Sequence, residues 1–151
     1  MKNVILILVL ALCFNGANAQ VGVGTTDPKS TLDINGNLSL KVVSVNGGPS
    51  GSATPIDDGV YINLTPTTGS EEFILPDATV VPGRIYILRN VTDTVNAYIY
   101  TFGAGVLFFA GDSTAGVSVV NMTTTVGNGN TSKTLIFISD GSNWTYGQLG
   151  F

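Results

Sequence analysis

Apolar and polar positions alternate along most of this chain with the two-residue period of β-strands. The apolar positions are rich in β-branched and aromatic residues, and no segment repeats them at the period of an amphipathic helix. Turn sequences separate the apolar runs at intervals of about ten residues, which is typical of a β-sandwich or barrel. We therefore predict an all-β fold with an antiparallel sandwich or jelly-roll-like body of about eight strands. The predicted strands are residues 60–65, 72–75, 84–91, 97–102, 106–110, 116–125, 134–139 and 144–148.

One of these strands, residues 97–102, has an aromatic side chain at every second position, on the face opposite Ile99. Such a stripe usually packs in a core or against another subunit, so packing is favoured. The alternative is a platform on which sugar rings stack, as on the aromatic residues of lectins. A tight turn at residues 140–141 should fold the last strand onto the sheet and bury its first aromatic residue. The candidate ligand-binding or packing aromatics are Tyr98, Tyr100, Phe102, Trp144 and Tyr146.

The predicted strand at residues 106–110 is apolar on both faces, since Phe108 and Phe109 point in opposite directions. This pattern suits a central strand or a strand at a subunit contact. Only 11% of the residues are charged, which leaves few groups to keep the surface hydrated. We therefore predict that Phe108 and Phe109 contribute to an oligomer contact.

The first residues have the pattern of a secretory signal peptide. A basic residue at position 2 precedes an apolar run at residues 4–14, and residues 17–19 read Ala-Asn-Ala. The run is shorter than the roughly 20 residues that a membrane-spanning helix needs. We predict a signal peptide at residues 1–19, cleavage after Ala19, and a secreted protein that is extracellular or on the cell surface. The alternative is a lipoprotein acylated at Cys13, but the bulky Leu12 before it favours plain cleavage.

The predicted mature chain excludes several kinds of chemistry by composition. It contains no histidine or cysteine, so a Ser–His–Asp or Cys–His arrangement and an ordinary zinc site are ruled out within one chain. Five basic residues face ten acidic ones, a net charge of −5, with no basic patch for nucleic acid. The acidic pairs at residues 57–58 and 71–72 fit solvated surface charge better than a glycosidase pair. We predict no enzyme activity, no cofactor and no further membrane-spanning run.

Composition also divides the mature chain. Residues 20–44 form an N-terminal segment, residues 45–58 are rich in Gly, Ser and Pro as linkers are, and residues 59–151 hold the predicted body. Oxygen-bearing side chains alternate at residues 33–39, but no glutamate closes a calcium loop there. We interpret that run as an Asn/Gly turn and predict no metal site.

Residues 21–28 read Val-Gly-Val-Gly-Thr-Thr-Asp-Pro, and residues 32–36 read Leu-Asp-Ile-Asn-Gly. This opening resembles one found in exported tail-fibre- or adhesin-like proteins of Bacteroidota, with the pattern V-G-I-G-T-x-x-P-x-x-x-L-D-V-x-G. Residues 74–78, 82–90 and 139–144 also resemble a module of such proteins. The resemblance implies an exported, trimeric fibre or adhesin module with no known chemistry. If such proteins need a long C-terminal chaperone domain for fibre assembly, we expect this chain, whose last motif is at residues 139–144, either to assemble unaided or to be a short single-module version.

The opening motif also has a physical interpretation. Gly22 and Gly24 alternate with valines, so one face of the segment has no side chains and another backbone can approach it closely. Such a face suits a multi-chain axis, and we predict Gly22 and Gly24 as oligomer contacts. The alternative is an ordinary N-terminal loop and edge strand.

Two short sequences, at residues 93–95 and 112–114, match the O-glycosylation pattern of Bacteroidota, with Thr94 and Ser113 as the acceptors. Glycans there would add polar cover to a surface with few charges. Taken together, the sequence predicts a secreted, non-enzymatic structural or adhesive module of a cell-surface or extracellular fibre. We expect a homotrimer whose partners are surface glycans or other fibre subunits. The alternative is a monomeric, lectin-like carbohydrate-binding domain.

Overall fold

A computed structural model of the chain describes residues 21–23, 26, 31–124 and 133–148. The predicted signal peptide with Ala19 and Cys13, and the predicted contact Gly24, lie outside the described residues. The chain divides into two compact units, Met1–Ser39 and Leu40–Phe151. In the first unit, β1 (Val21–Val23) and β2 (Leu32–Ile34) form a parallel pair in which Gly22 lies opposite Asp33.

The second unit is built from strands, with a short 3₁₀ turn at Ala78–Val80 and no α-helix among the described residues. All-β character is therefore confirmed. The strands are β3 (Val42–Asn46), β4 (Thr54–Pro55), β5 (Tyr61–Thr65), β6 (Glu72–Ile74), β7 (Ile85–Asn90), β8 (Ala97–Tyr100), β9 (Phe108–Ala110), β10 (Gly116–Val117), β11 (Val119–Met122), β12 (Thr134–Ser139) and β13 (Trp144–Gln148).

These strands form two sheets that share one hydrophobic core. The seven-stranded sheet has the order β10-β9-β13-β12-β7-β5-β3, and the four-stranded sheet has the order β11-β8-β6-β4. Alternate residues of both sheets are buried, as in β5, where Ile62 and Leu64 are fully buried and their neighbours half-buried. The largest buried side chains from the two sheets are Trp144, Tyr86, Phe73, Phe108 and Phe137.

The body is not a purely antiparallel sandwich, which corrects the prediction from the sequence. From β3 to β8, successive strands lie in alternate sheets. Each strand from β5 to β8 therefore pairs in parallel with the strand two places before it in the chain. Tyr61 of β5, for example, lies opposite Val42 of β3 and Ile87 of β7, both in parallel register. Among the described strands, only β12 is antiparallel to two neighbours, β7 and β13. The two-residue period assigns each side chain to a face but does not specify the direction of the neighbouring strand.

The predicted strand at residues 116–125 is two strands. β10 joins the seven-stranded sheet beside β9, whereas β11 joins the four-stranded sheet beside β8. The chain changes sheets at Ser118, the single residue between them. Where the chain passes from one sheet to the other, apolar and polar residues alternate on both sides of the bend. The period in the sequence therefore does not reveal where one strand ends and the next begins.

Residues 45–58, whose composition is that of a linker, are part of the sheets in the structure. They contain the end of β3 and all of β4, and Ile56 is only 1% exposed. Gly48 exchanges two backbone hydrogen bonds with Glu72. A Cβ atom at Gly48 would lie 2.0 Å from the Ser52 carbonyl oxygen, so glycine here permits a close approach of two backbone segments rather than a free hinge.

Candidate functional site

A groove of about 740 Å³ lies on the outer face of the four-stranded sheet. Its floor includes Ile74 of β6 and Tyr100 of β8, which lie opposite each other in parallel register. Residues 50–53 line one side, and Phe102 follows β8 at another. A smaller pocket of about 190 Å³ shares Tyr100 with the groove and is lined also by Tyr98. The two spaces form one surface, which we call the outer groove.

Three of the five candidate aromatics line the outer groove. Ile99 is buried in the core, so Tyr98 and Tyr100 point outward on the opposite face of β8 and are half-buried. Phe102 is 58% exposed. The alternation in the sequence therefore placed Tyr98 and Tyr100 on a common face correctly, whereas Phe102 lies beyond the end of β8. The favoured interpretation of that face as core packing does not describe it, because β8 has Ile99 and Ala97, not the aromatics, in the core.

The other two candidate aromatics lie away from the outer groove. Trp144 is fully buried, as predicted, and its ring centroid is 5.8 Å from that of Tyr86. Tyr146 stacks on Phe137 with a centroid distance of 5.7 Å. Both therefore stabilise the core between the sheets.

Glu72 joins the floor of the outer groove to its side. Its Oε2 accepts a hydrogen bond of 2.8 Å from the backbone N–H of Gly51, and its Oε1 accepts one of 3.2 Å from the Tyr100 hydroxyl. Gly51 has φ +78°, a left-handed conformation that favours glycine. Desolvation, followed by the hydrogen bond and the charge of Glu72, raises the pKa of Tyr100. Glu72 thus positions the loop that borders the aromatic floor.

The charged side chains that line the outer groove are all acidic. They are Asp57, Glu71 and Glu72, and the described lining residues include no Lys or Arg. The neighbouring Asp58 pairs with Lys41 at 2.5 Å instead. The hydrogen bond from Lys41 and that from the Gly59 backbone N–H lower the pKa of Asp58. Glu71 and Glu72 are half-buried rather than freely solvated.

The predicted oligomer contacts differ in their accessibility. Phe108 is fully buried against Phe137, at 5.6 Å between centroids, so it has no surface for a partner and the contact predicted for it is corrected. Phe109, on the opposite face of β9, is half-buried. Phe109 and Gly22 stay predicted contacts.

The predicted glycosylation acceptors, Thr94 and Ser113, are both exposed and lie between strands. No group of three or more acidic, histidine or cysteine side chains suited to a metal ion occurs in the part of the chain that the structure describes. Within the same residues, no helix has the length and apolar character needed to cross a membrane.

The part of the site that sequence reasoning missed is the role of Glu72 and Gly51. Glu72 lies 21 residues from Gly51 and 28 from Tyr100, so the local pattern contains no sign that the three meet. The available signal was weak: an acidic residue at the start of a predicted strand, and a glycine in a Gly/Ser-rich segment.

Comparison with known proteins adds no further constraint on this site. No family model matches the chain, and neither the curated proteins nor the solved structures include a match. Function is therefore inferred from the geometry of the outer groove and from the sequence.

Proposed function

We propose that this chain is a secreted, non-enzymatic adhesive module of a cell-surface or extracellular fibre, and that the outer groove holds a glycan chain. The observation that carries the proposal is the aromatic floor: Tyr98, Tyr100 and Phe102 line one open groove of about 740 Å³ and its side pocket. Sugar rings have apolar C–H faces that pack on aromatic rings, and their hydroxyl groups bond to polar groups at the rim.

The dimensions and rim of the outer groove support a polymeric ligand. Tyr98 and Tyr100 are two residues apart on one strand, a separation of about 6.6 Å that is comparable with the size of a sugar ring. Ser50, Ser52 and Thr101 add hydroxyl groups at the lining. The groove is a partly open space rather than an enclosed cavity, which suits a stretch of a glycan chain better than a single enclosed sugar.

The hydrogen bonds of Glu72 within the protein support a binding rather than a catalytic role for the outer groove. A glycosidase acid must give its proton to the substrate oxygen, and its partner carboxylate must reach the sugar or a water. Both Glu72 oxygens already accept hydrogen bonds from the protein, from Gly51 and Tyr100. We therefore assign Glu72 a positioning role.

The proposal is tested by measuring retention of the purified protein in native gels cast with polysaccharides, followed by calorimetry on those that retard it. Phe102→Ala should weaken binding about tenfold or more, because this exposed ring is expected to stack on the ligand. Val80→Ala is the matched control, since Val80 is 71% exposed and does not line the groove. Equal binding by both variants, or no retention of the wild-type protein, would contradict the proposal.

One observation favours a second candidate function, homotypic assembly without a ligand. Among the described residues, β3 has a single neighbouring strand, β5, and its Val42 is 60% exposed. An unpaired strand edge offers backbone N–H and C=O groups to a second chain. This supports the trimeric fibre subunit implied by the opening motif.

A further inference from the structure

We infer that the outer groove selects uncharged glycans and rejects those that carry carboxylate or sulfate groups. This inference rests on the proposed function, because it names the class of glycan that the same groove would hold. Three observations carry it: the sign of the lining charges, the absence of cationic partners for them among the described residues, and the exposed position of one of them.

The lining charges have one sign. Asp57 and Glu72 line the main groove, and Glu71 and Glu72 line its side pocket. Screening in physiological salt acts over about 8 Å, so an anionic group on a ligand is repelled by any lining carboxylate within about that distance. Any anionic group on a ligand would therefore be held among carboxylates on a partly desolvated surface, where repulsion is stronger than in water.

No lysine or arginine among the described residues pairs with the lining carboxylates. The ion pairs formed by the described residues join Lys41 to Asp58 and Lys133 to Asp93, and none of these four residues lines the groove. The donors that satisfy Glu72 are a backbone N–H and a neutral tyrosine hydroxyl, which bring no positive charge. The electrostatic potential in the groove is consequently negative.

An uncharged sugar avoids this repulsion and gains contacts from the same groups. Its hydroxyl groups donate hydrogen bonds to carboxylate oxygens, and bonds to a charged acceptor are stronger than those between neutral groups. Asp57 is exposed at the groove and is placed to accept such bonds, whereas the oxygens of Glu72 are engaged within the protein. The aromatic floor then supplies apolar contact that is indifferent to ligand charge.

The test compares polysaccharides that differ in charge on related backbones. Fully methyl-esterified polygalacturonan and free polygalacturonate form one pair, and neutral β-glucan, mannan and xylan are set against alginate and heparin. We expect retention by at least one neutral polymer and at least tenfold weaker binding of every anionic one. The double variant Asp57→Asn/Glu71→Gln should reduce that discrimination, while Phe102→Ala should weaken binding of neutral polymers in either background.

The outcomes separate the two proposals. Binding of anionic polymers as tightly as neutral ones, or discrimination unchanged in the double variant, would overturn the charge selection and leave the glycan groove standing. Failure of the wild-type protein to bind any polymer, with the fold intact by circular dichroism, would overturn both. The variants leave Glu72 in place, because its removal would also release the loop at Gly51.

Discussion

The indole Nε1–H of Trp144 donates a hydrogen bond of 3.2 Å to the carbonyl oxygen of Pro76. Close by, the Ser139 hydroxyl donates one of 2.8 Å to the carbonyl oxygen of Ala78. The two segments at residues 74–78 and 139–144 therefore contact each other. They tie the hairpin between β12 and β13 to the chain that leaves β6. These hydrogen bonds give both segments a structural role.

Truncation of the buried tryptophan should be costly. Trp144→Ala removes a fully buried side chain and its ring contact with Tyr86, so we expect a loss of about 3–5 kcal/mol in the free energy of unfolding. Trp144→Phe keeps most of the apolar volume and should lose less. Urea denaturation of the two variants measures the difference. A loss near zero for the alanine variant would show that the indole is not part of the core.

Asn90 offers a test of the polar network inside the core. Its Nδ2 donates to the carbonyl oxygens of Val95 (2.9 Å) and Met122 (3.2 Å), and its Oδ1 accepts from the N–H and the hydroxyl of Thr92. Asn90→Ala should lower the free energy of unfolding by about 1–3 kcal/mol, because those buried groups lose their partner.

The matched control for Asn90 is Asn121→Ala, on an exposed position of β11, which should change stability by no more than about 0.5 kcal/mol. Equal effects of the two substitutions in urea denaturation would contradict the role of the Asn90 network.

The raised pKa of Tyr100 predicts a pH dependence at the alkaline side. The folded protein keeps the Tyr100 proton at pH values where the unfolded chain releases it, so this contribution to stability is complete below about pH 10 and is lost as the pH rises further. Ionisation would also remove the hydrogen bond to Glu72. The denaturation midpoint should therefore fall above pH 10 more steeply in the wild-type protein than in Tyr100→Phe. Superimposable pH profiles would contradict this.

Assembly is tested at the opening motif. If three N-terminal segments meet at an axis, Gly22→Leu/Gly24→Leu should weaken the trimer, because bulky side chains prevent close backbone approach. Light scattering of the mature protein measures its mass, and circular dichroism checks that the β-sheet body stays folded. Gly36→Ala is the control, since a Cβ atom there meets nothing within 4 Å. A monomeric wild-type protein at micromolar concentration, unchanged in the double variant, would contradict the fibre proposal.

Processing has a direct readout as well. We expect the intact mass of the exported protein to equal that of a chain beginning at Gln20, because Ala19 completes the small-residue cleavage site. A diacylglyceryl adduct on Cys13 would establish the lipoprotein alternative instead.

The sequence by itself determined what depends on short-range periodicity. The strands Thr134–Ser139 and Trp144–Gln148 were predicted at the same bounds, and the division of β8 into a face with Ile99 and a face with Tyr98 and Tyr100 was predicted correctly. These features follow from the two-residue period of a strand and from turn residues close in the chain. The burial of Trp144 follows from the same local turn.

Only the tertiary structure decided which strands are neighbours and what the outer face of β8 meets. The repeated crossing between the sheets makes β3, β5 and β7 parallel, and a change of sheet at Ser118 divides one apolar run into two strands. The same crossings bring Gly51, Glu72 and Tyr100 together at one groove. Alternation specifies a face but neither the direction nor the identity of the next strand, which depend on contacts between residues far apart in the chain.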